Sequence, residues 1–171
     1  MGTNGSLRAK QDGWSRVTNA KLFMALTGTF TRNLDEKHRL AVPKPLREAF
    51  GKESDTKCLY VAPGTEQSLF LYSAKGFEAL AERFASQSRN DPSTRNYMRL
   101  FYARAEQVSV DSQGRIRIPE RLVQLAELQH EIVVLGVHDH AEIWDQARWD
   151  AFLNQSGSSF DELATRALDW S

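Results

Sequence analysis

Two arginines, Arg39 and Arg115, each stand four residues after an aspartate, Asp35 and Asp111. A guanidinium is planar and permanently charged, and its fork of donors can hold a guanine edge through two parallel hydrogen bonds or bracket a phosphate. The aspartate suits a different role, because its carboxylate accepts from nearby backbone amides and shapes a tight turn. Gly114 fits the same turn because it tolerates a positive φ. Asp35, Asp111 and Gly114 are therefore turn-forming, since a carboxylate facing a phosphate would be repelled.

A second group with chemical potential is His138-Asp139-His140 with Glu142. On one strand face the two imidazoles could bind a metal. The stretch lies between two strands, however, where polar residues make a turn, and no third ligand follows at metal-site spacing. No metal site and no cofactor is expected. The chain holds no glycine-rich phosphate loop, no nucleophile elbow and no carboxylate pair placed for acid–base work, so an enzyme is not expected.

The elements that position the arginines repeat at an offset of 76 residues. Leu34-Asp35-Glu36-Lys37-His38-Arg39-Leu40-Ala41-Val42-Pro43 aligns without a gap on Val110-Asp111-Ser112-Gln113-Gly114-Arg115-Ile116-Arg117-Ile118-Pro119. Alternation places Leu40 and Val42, or Ile116 and Ile118, on one strand face and Arg39, Arg115 and Arg117 on the other. Pro43 and Pro119 suit the first position of a short helix, which Gly51 closes in the first copy with Leu46, Ala49 and Phe50 inward. Two strand-like stretches follow each copy, and the second copy is shorter by a residue or two in its hairpin loop. Each unit thus reads strand, tight turn, strand, short helix, strand, strand. Arg32 falls on the apolar parity, which implies either a bulge or a frayed first strand.

Between the units, Phe77, Leu80, Ala81 and Phe84 have helical spacing. A break around Asn90-Asp91-Pro92-Ser93 precedes a second helix with Tyr97, Leu100 and Phe101 on one side. Arg95, Arg99 and Arg104 line much of the remainder and read as surface or interface residues. Ser159-Phe160-Asp161-Glu162 fits a capping box for a last helix with Leu163, Ala167 and Trp170. Trp144 and Trp149 read as packing residues.

Composition is that of an ordinary folded domain, with 41% hydrophobic and 26% charged residues. Net charge is zero, yet residues 127–171 hold nine acidic groups against two basic ones, so the rest of the chain is basic. Such a body fits a polyanion partner, or oppositely charged surfaces meeting in an oligomer. The single cysteine, Cys58, sits beside Leu59, Tyr60 and Val61 and reads as a small core residue. With no apolar run of membrane-spanning length and no secretory signal in residues 1–19, a cytoplasmic protein is expected.

The doubled Asp-x-x-x-Arg turn followed by aliphatic-x-aliphatic-Pro resembles the MraZ family, whose members carry two SpoVT/AbrB-like units. Residues 111–119 match its Asp-x-x-Gly-Arg pattern, and Glu142-Ile143-Trp144-Asp145 is similar to its segment near the end of the second unit. The first copy departs at His38, where the family usually has glycine, so the second turn is expected to be better formed. The resemblance covers about residues 25–150.

It implies a mainly β fold with short helices (α+β), a double-split β-barrel. The expected divisions are a flexible extension (1–24), repeat 1 (25–76), connecting helices (77–104), repeat 2 (105–149) and an acidic, partly helical tail (150–171). The implied function is a sequence-specific DNA-binding transcriptional regulator, usually a repressor. It would bind direct repeats in the promoter of its own division and cell-wall operon. The implied partners are double-stranded DNA and further copies of the chain in a ring, with no membrane and no small-molecule substrate; localisation would be cytoplasmic and nucleoid-associated. The DNA-facing positions carried over are Arg39 and Arg115, with Lys37 beside the first; Arg117 reads equally as a DNA contact or a solvated strand-face residue. Alternatives are an AbrB-like antitoxin with a disordered toxin-binding tail, and an oligomeric protein-interaction scaffold.

Overall fold

The computed structural model describes residues 24–86 and 91–168. Nearly all of the expected extension 1–24 lies outside these residues, as do Asn90 of the expected break and Trp170 of the last helix. The first unit contains β1 (Thr29–Asn33), β2 (Arg39–Ala41), α1 (Lys44–Phe50), β3 (Cys58–Pro63) and β4 (Leu69–Ser73). Two helices follow, α2 (Ala74–Ser86) and α3 (Pro92–Arg104). The second unit contains β5 (Glu106–Ser109), β6 (Arg115–Arg117), α4 (Glu120–Leu125), β7 (Glu131–Val137) and β8 (His140–Asp145), and then come α5 (Gln146–Ser156) and α6 (Phe160–Ala167).

The strands pair between units more than within them. Six form one antiparallel sheet in the order β1-β7-β8-β4-β3-β5, and β2 pairs with β6 in a separate two-stranded ribbon. In the ribbon Leu40 faces Ile116, its own counterpart in the repeat. Phe70 faces Glu142 in the same way where β4 meets β8. A local twofold therefore relates the two units. No ladder joins the outer strands β1 and β5, so the described strands make an open sheet and a ribbon within an α+β chain.

The sequence suggests a hairpin at each turn; the structure sends the two arms of each turn to different sheets. Asp35 N–H donates to Arg39 O at 3.1 Å and Asp111 N–H to Arg115 O at 2.8 Å; the second turn's arms keep one further bridge, Val110 with Ile116, and the strands beyond belong to different sheets. The reason is burial. Crossing to the other unit brings Leu40, Val42, Ile116 and Ile118 into one core with Leu59, Leu71, Ile132 and Ile143. That removal of apolar surface from water is the main force interlocking the units.

Parity along the strands divides the sheet into two faces. One carries Leu59, Val61, Leu69 and Leu71 toward the ribbon, α1 and α4. The other carries Tyr60, Ala62, Phe70 and Tyr72 against α2 and α3, where Phe77 stacks on Tyr60 at 4.3 Å. On the β8 side of that face, Trp144 packs edge-on to Trp149 of α5 at 5.4 Å. Cys58 is half-buried at the start of β3.

Several local expectations change. Pro43 and Pro119 stand one residue before their helices, and their carbonyls accept from Leu46 and Arg47, and from Leu122 and Val123. Ser159 does not cap α6, because α5 and a 3-10 turn run almost directly into it. Its hydroxyl donates back to Ser156 O at 3.0 Å. Arg32 lies in continuous register opposite Ile132, with neither bulge nor fraying, and its guanidinium lies over the Phe30 ring. Leu59 corresponds to Ile132 and Phe70 to Glu142, so the second unit lacks three residues before its third strand and only one in its hairpin loop. The first unit spends the extra residues on a 3-10 turn, Glu53–Thr56.

Candidate nucleic-acid interface

The two turns are built alike. Asp35 Oδ1 accepts from Lys37 N at 2.9 Å and Arg39 N at 2.8 Å, while Oδ2 accepts from Arg39 Nε at 2.6 Å. Asp111 Oδ1 accepts from the amides of Gln113 and Arg115, each at 2.9 Å, and Oδ2 from Arg115 Nε at 2.9 Å. The Arg39 amide, against the cost of desolvation and with help from its guanidinium, holds the Asp35 carboxyl below the usual aspartate range. The Arg115 amide and guanidinium do the same for Asp111. Each carboxylate orders the backbone and holds one edge of its arginine. Among the described residues the Nη groups of both arginines make no hydrogen bond, which leaves a donor pair for an acceptor outside the chain.

His38 does not spoil its turn. Its φ is 57°, beside 74° for Gly114, and both amides donate to the aspartate carbonyl three residues earlier at 2.9 Å. The left-handed region costs a non-glycine residue roughly 1 kcal/mol, and histidine is among the more tolerant types. The Asp35 bonds impose the conformation.

The ribbon brings the cations together. Arg39 pairs with Arg117 and Arg115 with Ala41, so three arginines from two units share the ribbon's outer face, opposite Leu40 and Ile116. The two pairs are two residues apart, about 7 Å along the strands. Arg117 is exposed, Arg39 and Arg115 are half-buried, and Lys37 is exposed in the first turn. Ala41 at the position equivalent to Arg117, and Gln113 at that of Lys37, make the two halves chemically unequal.

Other candidates lie elsewhere. Arg95, Arg99 and Arg104 belong to α3, which packs on the sheet face away from the ribbon. His138 occupies the two-residue turn between β7 and β8 with φ 62°, so it does not share a strand face with His140. His140 contacts Asp139 at 2.7 Å and Glu142 at 3.5 Å and packs on Phe70 and Tyr72. Burial disfavours its charge, but Glu142 and Asp139 outweigh it and raise its pKa. Among the described residues no three His, Cys, Asp or Glu side chains are placed to hold a metal ion. No described helix is long and apolar enough to cross a membrane.

Sequence reasoning missed Arg47. Its Nε donates to Val42 O at 3.2 Å, and its guanidinium lies against Gly114 of the other unit. Only the unequal pair Arg47 and Val123, 76 residues apart, hinted at it.

Fold and site define a class: a single chain of two interlocked strand–turn–strand units that joins its turn arginines on one ribbon. Comparison identifies the family. A family model described as MraZ protein, antitoxin-like, matches residues 25–100 and again 101–170. The protein named Transcriptional regulator MraZ from Limosilactobacillus fermentum is 34% identical over 137 residues, 80% of this chain and 92% of its own length. Its namesake from Finegoldia magna is 30% identical over 135 residues, 79% and 91% of the two chains. The chain belongs to the MraZ family.

Proposed function

We propose that the protein is a sequence-specific, DNA-binding transcriptional regulator, a repressor acting on direct repeats in the promoter of its own division and cell-wall operon. It has no catalytic role in this reading. The observation that carries the reading is the ribbon face on which Arg39, Arg115 and Arg117 converge from two units. The names of its relatives as transcriptional regulators agree with it. A two-stranded ribbon can enter a major groove, and the Nη pairs of Arg39 and Arg115 suit guanine or phosphate. Lys37 adds a phosphate contact beside the first turn and Arg117 a further cation. In this reading the open sheet and the ribbon together correspond to a double-split β-barrel divided along the repeat boundaries, and the protein works in the cytoplasm at the nucleoid.

One ribbon offers few contacts, so affinity calls for several copies in a ring. Exposed Tyr97 and Leu100 on basic α3, and exposed Phe160 and Leu163 on acidic α6, suit such self-association. An antitoxin reading rests on the family description alone, and α5 and α6 are helical where an antitoxin was expected to have a disordered tail.

The test is binding to labelled promoter DNA against scrambled DNA over a salt series, with Arg39→Ala/Arg115→Ala as the variant. Preference for the promoter that disappears in a folded variant supports the reading. Unchanged binding by the variant removes the ribbon as the DNA surface, and no binding at low salt removes DNA recognition altogether.

A further inference from the structure

Gly114 is buried although it lies at the tip of a turn. A Cβ built there would stand 2.6 Å from Arg47 Cζ and 2.9 Å from both Nε and Nη2, so a side chain at this position, already strained by its φ of 74°, would displace the guanidinium. The guanidinium is thus seated flat against the turn. It is tied down from the other side as well: Arg47 Nε donates to Val42 O, and Val42 N–H donates to Gly114 O at 3.0 Å. One residue of the first unit, Val42, thereby links Arg47 to the second unit's turn.

The twofold-related place is filled differently. His38 O accepts from Ile118 N at 2.8 Å, as the symmetry requires, but Val123 stands where Arg47 would be. His38 and Val123 line a groove of about 500 Å³ with Leu34, Glu36, Leu128 and His130. Glycine with arginine, and histidine with valine, are two ways of filling the same pair of positions. The first leaves a turn covered by a guanidinium; the second leaves a turn bordered by open space.

We propose that Arg47 is a positioning residue for DNA recognition. It braces the second turn across the unit boundary so that Arg115 is presented in a fixed geometry, while the first turn carries Arg39 without such a brace. The proposal rests on the DNA-binding reading above and adds that the two turns are unequal readers. Its consequence is energetic coupling between Arg47 and Gly114, which have no sequence proximity and form no hydrogen bond to each other.

The experiment measures promoter binding by fluorescence anisotropy for Arg47→Ala, Arg47→Lys, Gly114→Ala and Arg47→Ala/Gly114→Ala, with thermal melts as a check on folding. Arg39→Ala and Arg115→Ala run alongside on operators substituted one base pair at a time. Gly114→Ala is expected to weaken binding more than 10-fold in the parent and no more than 3-fold when Arg47 is already alanine. Arg47→Ala is expected to flatten base preference only at positions that Arg115→Ala also flattens. Its salt slope should stay at the parent's value, because a brace makes no phosphate contact. Arg47→Lys should behave like the alanine variant, since an ammonium cannot lie flat on the turn.

Multiplicative effects of Arg47→Ala and Gly114→Ala, or loss of preference spread over all positions, overturn the brace. A salt slope reduced by about one makes Arg47 a phosphate contact instead. Should Arg47→Ala fail to fold, the Arg47→Lys base-preference profile decides the matter alone. If Arg39→Ala and Arg115→Ala both leave binding intact, the ribbon is not the DNA surface and the reading on which the brace rests fails, which is a distinguishable result.

Discussion

The two turns share the backbone hydrogen bonds that close them around their aspartates, the second adding a bridge between Val110 and Ile116, and they differ in what surrounds them. In both, one aspartate gathers two amides and an arginine Nε. Around the second turn a guanidinium covers a glycine; around the first a histidine borders a groove. Local turn chemistry is therefore sufficient to set backbone shape, and the packing beyond it is free to diverge. A duplicated unit keeps its geometry through the short-range bonds and gains difference through the contacts made across the twofold.

The ribbon beneath the turns is where the halves remain most alike, and it gives the largest expected effect. Leu40 and Ile116 face each other, both fully buried. Leu40→Ala and Ile116→Ala should each destabilise the fold by about 2–5 kcal/mol through lost transfer energy and an unfilled cavity. Urea denaturation that gave one variant a near-wild-type midpoint would show that the twofold does not extend to the energetics. Next in size is a difference between the turns. Lys37→Gln should lower the salt dependence of promoter binding by about one phosphate contact, and Gln113→Lys should raise it by a similar amount. If neither slope moves, the turns do not face the phosphate backbone.

These comparisons also mark what the sequence can reveal. Asp35, Arg39, Pro43 and their counterparts were legible because turn and helix-start chemistry acts within a few residues, and the strand parity followed from Leu40 and Val42. The partner of each strand was not legible. Two arms beside a turn ordinarily form a hairpin, and nothing local says that β2 must instead cross to β6. Arg47 was hidden for the same reason, since its contact with Gly114 depends on that crossing. Ser159 misled because a capping pattern has no function where the preceding residues are already helical. His38 misled in the other direction, because strain at one residue was outweighed by the bonds to Asp35.

A smaller effect separates the turns again. His38→Gly should relieve roughly 1 kcal/mol of left-handed strain and return a comparable amount through the greater freedom of glycine in the unfolded chain. Its melting temperature should therefore change by no more than a few degrees, and promoter binding should be retained. A large loss of binding with an unchanged melt would give the imidazole a contact role that the turn geometry does not require.

The smallest predicted effect compares the two hairpins. Where β4 meets β8, the first unit offers Phe70 and the second Glu142, and His140 sits between Asp139, Glu142 and the rings of Phe70 and Tyr72. Arg83 of α2 reaches Asp139 at 3.2 Å, so the cluster also ties that helix to the β7–β8 turn. The raised pKa of His140 means that the folded protein binds this proton more tightly than the unfolded chain does. The associated stability is complete below the unfolded value of about 6.5 and is lost as pH rises through the folded value. Chemical denaturation from pH 5.5 to 8.5 should therefore show stability falling across that interval by an amount that His140→Gln removes. The first unit's hairpin has no such cluster, so amide exchange should report the change in α2 and the β7–β8 turn and not in the 65–67 loop. A pH response shared equally by both hairpins, or one that survives in His140→Gln, would assign it to other groups and leave this cluster a packing feature of the second unit.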